Sequence, residues 1–196
     1  MAPKSQKGFT ILELMIAISV FTVAIVLMTI GIIAIGRYYQ QGATKAKLLT
    51  ASREIQSEFT QAIQYSGISV DPQEQSGFQV DGSGTDYSYS CLGNIRFRWQ
   101  LDVPNNFFVD NISNSSCEDN KSADFTISDP LPNGTVVTQF DIDGNNPYTL
   151  TTRFVIGDQQ LFVNSNYSQQ CQNDILGSEF CSVVSLSSTV ARKVTD

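Results

Sequence analysis

The stretch that decides the fold is KGFTILELMIAISVFTVAIVLMTIGIIAIGR, which spans residues 7–37. Between Lys7 and Arg37 its only charged residue is Glu13, and residues 14–36 carry no charge. An α-helix rises about 1.5 Å per residue, so those uncharged residues extend about 34 Å, enough to cross a hydrocarbon core of about 30 Å. The stretch therefore predicts a membrane-spanning helix with one carboxylate near its start.

A cleaved secretory signal peptide is the main alternative for an apolar segment near an N-terminus. Such a signal has a shorter apolar region, followed by a cleavage site made of small residues. After Ile35 this chain continues with Gly-Arg-Tyr-Tyr, which contains no such site. We therefore expect the apolar helix to remain in the mature protein. Basic residues flank it on both sides, so the flanking charge leaves its orientation open.

The helical pattern continues well beyond the apolar stretch. No proline occurs from position 4 to position 71, and the first strong break is Ser66-Gly67. Before that break, apolar residues recur at spacings of seven, four and four, which predicts an amphipathic helix. The predicted stripe consists of Leu48, Ile55, Phe59 and Ile63, with Ala51, Ser52 and Ala62 between them. We expect one helix that ends near residue 66, apolar on all sides in its first half and striped in its second.

After Gly67 the pattern changes to the period of two that is typical of β-strands. The clearest strand is NIRFRWQLDV (94–103), in which five apolar residues alternate with polar ones. Further strands are predicted in ADFTIS (123–128), TVVTQFDI (135–142), PYTLTTRFVI (147–156), QQLFVNS (159–165) and FCSVVSLSS (180–188). The predicted fold class is α+β: a long N-terminal helix packed on an antiparallel β-sheet, with one sheet face buried and one polar.

Charge and composition exclude several classes of function. Residues 1–66 hold six basic and three acidic residues, whereas residues 67–196 hold six basic and sixteen acidic ones. A phosphate backbone would be repelled by this acidic part, so we expect no general nucleic-acid binding. The chain has no histidine, which removes the commonest general base and metal ligand. We expect no enzymatic activity, no metal and no cofactor.

The start of the chain resembles the processing site of type IV pilins and pseudopilins in the residues KGFTILELMIA (7–17). The resemblance implies that a membrane prepilin peptidase cleaves after Gly8 and that the new N-terminal residue, Phe9, is N-methylated. It also implies an assembly role for Glu13, which would pair with the α-amino group of Phe9 on a neighbouring subunit. The implied partners are the peptidase, other pilin subunits, an inner-membrane assembly platform and, before assembly, membrane lipid.

A second interpretation of Glu13 needs no partner subunit. An acidic side chain near the start of a helix interacts favourably with the helix dipole, and an interfacial carboxylate can remain in contact with water. On this interpretation Glu13 stabilises only its own helix.

The resemblance divides the chain into a leader (1–8), a transmembrane and filament-core half of the helix (9–36), an amphipathic half (37–66) and an antiparallel β head domain (67–196). Many major pilins carry a proline part-way along the helix, where this chain has Ile30 followed by Gly31. The region after Gly67 is also longer than in small major pseudopilins. Both departures favour a minor pilin, held in the cytoplasmic membrane and then in an extracytoplasmic or cell-surface filament.

Two alternatives stay open at this point. The chain could be a pseudopilin of a type II secretion or competence DNA-uptake system. It could also be a signal-anchored extracytoplasmic binding or adhesion module that never polymerises, in which case residues 1–8 would be retained.

The four cysteines, Cys91, Cys117, Cys171 and Cys181, all lie in the predicted head. An even number in an exported domain predicts two disulfides, and three connectivities are possible. We favour the pairing of sequence neighbours, Cys91–Cys117 and Cys171–Cys181. No Cys-x-x-Cys pair occurs, which argues against a zinc site.

Oxygen-bearing side chains cluster in the turn from Asp141 to Asn145 and again in residues 81–86. Neither cluster has the glycine and the bidentate glutamate of an EF-hand calcium loop. A solvated hairpin turn is therefore the favoured interpretation, and calcium binding is the alternative.

Overall fold

A computed structural model provides the structure of the chain. It describes residues 9–65, 75–79, 86–93, 95–112, 127–128, 130–144, 146–173 and 175–193. The chain forms two compact units, and the boundary between them lies between Gln40 and Gln41.

A single helix and eight strands form the regular structure of the described residues. Helix α1 spans Ile11–Tyr65. The strands are β1 (Gln75–Gln79), β2 (Asp86–Leu92), β3 (Ile95–Trp99), β4 (Phe107–Asn111), β5 (Ile127–Ser128), β6 (Thr135–Asp143), β7 (Tyr148–Ile156) and β8 (Ser182–Val190). Short 3-10 turns occupy Gln159–Leu161, Val163–Ser165 and Ser178–Phe180. This arrangement confirms the predicted α+β class.

The strands form two antiparallel sheets, whereas the sequence predicts one. Strands β1 to β5 follow one another in chain order in the first sheet, and β6, β7 and β8 form the second. The two sheets meet because the chain leaves β3 and crosses to β6, where Leu101 and Pro104 form isolated bridges. The predicted strand 94–103 therefore ends at Trp99, and Leu101 is exposed.

The second half of α1 packs against both sheets through the predicted stripe. The buried helix residues are Leu48, Ala51, Ser52, Ile55, Phe59 and Ile63. Phe59 lies 5.3 Å from Phe97 and 5.9 Å from Phe140 between ring centroids, and Trp99 lies 4.3 Å from Phe140. Aromatic rings bury large apolar areas and gain further energy at these separations. The helix and the sheets thus share one core.

The polar face of β3 is buried, although its sequence predicts a solvated face. The guanidinium groups of Arg96 and Arg98 both donate to Asp110 Oδ2, at 2.9–3.1 Å. The Arg98 guanidinium also lies over the rings of Phe108 and Tyr87, at 4.1 and 5.1 Å. Burial lowers the pKa of Arg96, while its interactions with Asp110 act in the opposite direction. The alternating pattern predicts that these two arginines face solvent. Instead, they contact the buried carboxylate of Asp110 and, for Arg98, the aromatic rings.

The predicted strand at 159–165 is wrong. The segment forms two 3-10 turns, and Asn164 and Ser165 adopt positive φ angles. Phe162 is buried there in a second small core with Val155 and Cys181. Phe162 is thus buried without being part of a strand, whereas Val163 is exposed.

Candidate processing and assembly site

The predicted cleavage site lies at the edge of the described residues. Gly8 falls outside them, and Phe9 is 87% exposed immediately before the helix. Cleavage after Gly8 and methylation of Phe9 therefore stay predictions. Among the described residues, the first main-chain hydrogen bond of α1 runs from the Leu14 N–H to the Thr10 carbonyl at 3.2 Å, so Phe9 precedes the hydrogen-bonded part of the helix.

Thr10 and Glu13 form a capping box at the start of α1. The Thr10 main-chain N–H donates to Glu13 Oε2 at 3.0 Å, and the Glu13 N–H donates to Thr10 Oγ1 at 3.3 Å. The Thr10 hydroxyl also donates to Glu13 Oε2 at 3.0 Å. The first N–H groups of a helix have no partner within the helix, and this reciprocal arrangement satisfies two donors at once.

The capping box leaves part of the Glu13 carboxylate available. Oε2 receives both bonds from Thr10, while Oε1 receives none from the described residues, and the side chain is exposed. The two interpretations of Glu13 are therefore compatible, because one oxygen caps the helix and the other can accept a hydrogen bond from outside. Sequence reasoning missed Thr10, although its signal, Thr-x-x-Glu before an apolar run, is present in residues 10–13.

The apolar half of α1 satisfies its own polar side chains. The hydroxyls of Ser19, Thr22 and Thr29 donate to main-chain carbonyls three or four residues earlier, each at 2.8 Å. The large apolar side chains from Ile11 to Ile35 are exposed, and none is covered by another described part of the chain. A surface of this kind suits lipid, where unpaired polar groups cost several kcal/mol. Among the described residues, α1 alone is long and apolar enough to cross a membrane.

Of the predicted cysteine pairs, the structure describes the C-terminal one. Cys171 and Cys181 form a disulfide with an S–S distance of 2.08 Å. Cys91 is also disulfide-bonded, and Cys117 lies outside the described residues, so the Cys91–Cys117 pairing stays a prediction. The described disulfide closes a ten-residue separation immediately before β8.

The oxygen-rich turns carry no sign of a metal centre in the described residues. Asp141 Oδ2 accepts a hydrogen bond from Gln139 Nε2 at 2.6 Å, while Asn145 and residues 81–85 fall outside the described part. No three acidic, cysteine or histidine side chains converge within the ranges that the structure covers. The hairpin interpretation of the Asp141 turn fits its position between β6 and β7.

A comparison with known protein families gives one match. Residues 3–29 match the family described as the prokaryotic N-terminal methylation motif. No curated protein and no solved structure matches the chain. The matched range includes the predicted cleavage site, the capping box and most of the apolar half of α1.

The motif and the helix agree on one class of protein. Processing by a prepilin peptidase and association with other pilins are implied by the motif. The apolar helix at the N-terminus fits a membrane-anchored protein. The chain thus carries a type IV pilin-like prepilin signal, which supports its being the precursor of a type IV pilin-like or pseudopilin subunit.

Proposed function

We propose that the chain is a minor pilin, a structural subunit that is processed by prepilin peptidase and assembled into a type IV pilus-like filament. The observation that carries the proposal is the match to the N-terminal methylation motif over residues 3–29. The matched range contains the start of α1, whose large apolar side chains from Ile11 to Ile35 are all exposed on the isolated chain. An apolar surface of this size needs lipid or other helices around it.

The proposal gives each part of the chain a task. Residues 1–8 are the leader, residues 9–36 hold the subunit in the cytoplasmic membrane and later in the filament core, and residues 37–66 join the core to the head. The head, residues 67–196, lies outside the membrane, and the Cys171–Cys181 disulfide is compatible with an oxidising compartment. The assembly platform extracts the subunit from lipid and adds it to the filament.

The role of Glu13 differs between the two environments of the helix, the lipid bilayer and the filament. A carboxylate at the centre of a bilayer costs about 3 kcal/mol on insertion scales, and the cost is smaller near a helix end. In the filament the free α-amino group of Phe9 on a neighbouring subunit would meet Oε1 of Glu13, while Oε2 keeps the cap. Each buried charge would then have a partner.

Minor-pilin status rests on departures from the major-pilin pattern. The apolar half has Ile30 and Gly31 in the region where many major pilins carry a proline. In keeping with this, α1 runs without interruption from Ile11 to Tyr65. A pseudopilin of a secretion or DNA-uptake machine uses the same signal, so location in a surface filament separates the two roles.

Leader cleavage is the first test of the proposal. We expect intact-mass analysis of protein from the native host to show loss of residues 1–8 and addition of one methyl group. A mature chain that begins at Met1 or Ala2 would contradict the proposal and favour a retained signal anchor. Immunogold labelling of sheared filaments then shows whether the processed chain is incorporated and where.

The assembly role of Glu13 is tested by Glu13→Ala. Removing one member of a buried ion pair typically costs 3–5 kcal/mol, because the remaining charge is left unpaired. We expect the variant to be inserted and cleaved normally but poorly recovered in sheared filaments. Glu13→Asp, which keeps the charge with a shorter reach, should be intermediate. Incorporation of Glu13→Ala at the wild-type level would show that the acid acts only as a helix cap.

A further inference from the structure

The two edges of the three-stranded sheet are built differently. β7 lies in the middle of this sheet, so β6 and β8 each turn one side of the backbone away from it. An exposed strand edge presents unpaired N–H and C=O groups to other chains, and proteins usually cover, bend or charge such edges.

The edge of β6 is protected in three ways. The segment after β3 covers its start, where the Asp102 N–H donates to the Val137 carbonyl and the Asn105 N–H to the Thr135 carbonyl, both at 2.9 Å. The pairing with β7 shifts between Val137 and Gln139, which marks a bulge. Two of the last three residues of the strand are aspartates. These are the features that discourage pairing with another strand.

β8 has none of these features in the part of the chain that the structure describes. Its nine residues, SVVSLSSTV, include no charge, proline or glycine. They pair with β7 one to one without a bulge, and no described segment bonds to their outer side. Alternate residues of an antiparallel strand bond to opposite sides, so about half of the main-chain groups of β8 point away from the sheet.

Both ends of this open edge are fixed. The Cys171–Cys181 disulfide holds the residue that precedes β8. After the strand, the Arg192 N–H donates to Asn146 Oδ1 at 3.1 Å. An edge that is already ordered costs a partner less conformational entropy on binding.

We propose that the open edge of β8 binds an extended segment of a neighbouring pilin-like subunit by strand addition, an inference that rests on the filament role proposed above. In strand addition, main-chain hydrogen bonds supply affinity and alternating side chains supply specificity. The occupant is therefore a β-strand contributed by another subunit, which lengthens the three-stranded sheet by one strand.

The side chains of β8 define the chemistry of the bound segment. Val184, Leu186 and Val190 face the core, so the segment carries apolar residues at matching alternate positions. β8 itself is uncharged, so the paired part of the segment is neutral. The exposed Lys193 follows the strand, so an acidic residue of the segment beside that end would match its charge.

The direction of α1 decides against pairing with β8 of a second copy. The second half of α1 lies on the inward face of the sheet, where Gln56 Nε2 donates to Thr152 Oγ1 at 3.4 Å. Two identical edges pair about a two-fold axis, which here is perpendicular to the sheet and reverses the direction of the helix lying on it. In the filament proposed above the helices run the same way, so the added strand comes from a different edge of the neighbour.

Photo-crosslinking in native filaments tests the proposal. A photoreactive amino acid is placed at Ser187, which is exposed beside the open edge, and in the control at Gln139, on the same face beside the protected edge, which keeps both aspartates. In sheared filaments we expect Ser187 to crosslink, several-fold more than Gln139, to an extended segment of a chain that has its own prepilin signal. Equal yields at the two positions, crosslinks to a helix, or crosslinks to β8 of a second copy would overturn the proposal.

A pair of neighbouring proline variants, Ser187→Pro and Ser188→Pro, gives a second measurement. Successive N–H groups in a strand point to opposite sides, so one variant loses a bond to β7 and the other loses an outward N–H. The variant that keeps wild-type thermal stability is the one that lost the outward group, and we expect its recovery in filaments to fall several-fold. Wild-type recovery of that variant would contradict strand addition. If both variants unfold, the crosslinking result decides.

Mass analysis of the same samples separates this inference from the filament role. A chain that is cleaved and incorporated but does not crosslink through Ser187 contradicts strand addition alone. A chain that keeps residues 1–8, or is never recovered in filaments, contradicts both proposals.

Discussion

The two halves of α1 belong to one helix, yet their apolar side chains differ in burial. In the half before Gln40, apolar side chains point in all directions and every large one is exposed. In the half after Gln41, apolar residues are confined to one stripe, and Leu48, Ile55, Phe59 and Ile63 are completely buried. The apolar stripe of the second half is thus covered by its own chain. The apolar side chains of the first half are covered by no described part of the chain and need lipid or other chains around them.

The difference shows that helix formation and helix burial are separate properties of a sequence. Both halves have the residues and the absence of proline that a helix needs. The distribution of apolar residues around the axis decides what covers each half. Mutations in the two halves should therefore impair different properties: membrane anchoring in the first half and stability of the head in the second. The following four predictions go from the largest expected effect to the smallest.

Two lysines in the apolar half should abolish membrane anchoring without unfolding the head. Each lysine near the centre of a spanning helix costs about 3 kcal/mol, so Ile25→Lys combined with Met28→Lys costs about 6 kcal/mol. We expect the double variant to be released by alkaline carbonate, while Ile25→Leu with Met28→Leu stays in the membrane. Trp99, the single tryptophan, reports on head folding through its fluorescence. Loss of the head signal in the lysine variant would contradict the separation of the two halves.

Phe59→Ala should destabilise the head by about 3–5 kcal/mol, the usual cost of removing a buried phenylalanine ring. Phe59 contacts Phe97 and Phe140 in the shared core, so its loss leaves a cavity between α1 and both sheets. Urea unfolding of the full chain in detergent, followed by Trp99 fluorescence, measures the effect.

The matched control for this change is Phe21→Ala, because Phe21 has the same side chain in the exposed half of the helix. We expect no change in the urea midpoint of this variant. Similar midpoints for the two variants would contradict the assignment of the core to the second half alone.

Thr10→Ala should weaken the start of the helix by about 1 kcal/mol, since the cap loses its side-chain acceptor. The amides of the first turn, including Glu13, should exchange about fivefold faster with solvent deuterium in micelles. Thr10→Ser keeps the hydroxyl and should behave like the wild type. An unchanged exchange rate in Thr10→Ala would mean that the capping box contributes no stability.

The smallest expected effect is a pH dependence carried by Glu58 in the second half. Partial burial, and then the negative charge of Glu54 one turn earlier, raise the pKa of Glu58. A carboxyl whose pKa is higher in the folded state binds its proton more tightly there, so its favourable contribution is present at low pH and is lost as the pH rises through that pKa. Solvent screening limits the effect to below about 0.5 kcal/mol. Glu58→Gln should remove this part of the pH dependence of the urea midpoint, and an unchanged profile would contradict it.

The parts of the fold that follow a regular period were predictable from the sequence. The helix and its stripe are local patterns, and the predicted stripe residues are buried except Ala62, which is partly buried. β6, β7 and β8 lie where alternation predicts them. Period and composition decide these elements because each has one face in the core.

The parts that depend on distant residues were not predictable in this way. Arg96 and Arg98 look like a solvated strand face until Asp110 of β4 is brought opposite them. The segment 159–165 has the composition of a strand, but Asn164 and Ser165 adopt positive φ angles, and Phe162 is buried with Val136 and Cys181, which are distant from it in the sequence. The division into two sheets likewise depends on the crossing segment after Trp99, which breaks a strand that its own sequence would continue.

The candidate site shows the same contrast. The prepilin signal is a linear motif, so the sequence alone was enough to recognise it. The Thr-x-x-Glu spacing is compatible with a helix cap. That only one oxygen of the Glu13 carboxylate takes part in the cap is evident from the structure alone.

The stripe on α1 also has a mechanical consequence. Between Leu48 and Ile63 the helix contacts the head over about 22 Å, or four turns. Beyond it, the Lys193 N–H donates to the Gln64 carbonyl at 3.3 Å, which ties the C-terminal segment to the same helix. A pull along the helix axis therefore loads all these contacts together in shear, and the helix cannot slide by one turn without lifting every buried side chain out of its place. A head held in this way moves with its helix when the helix is pulled.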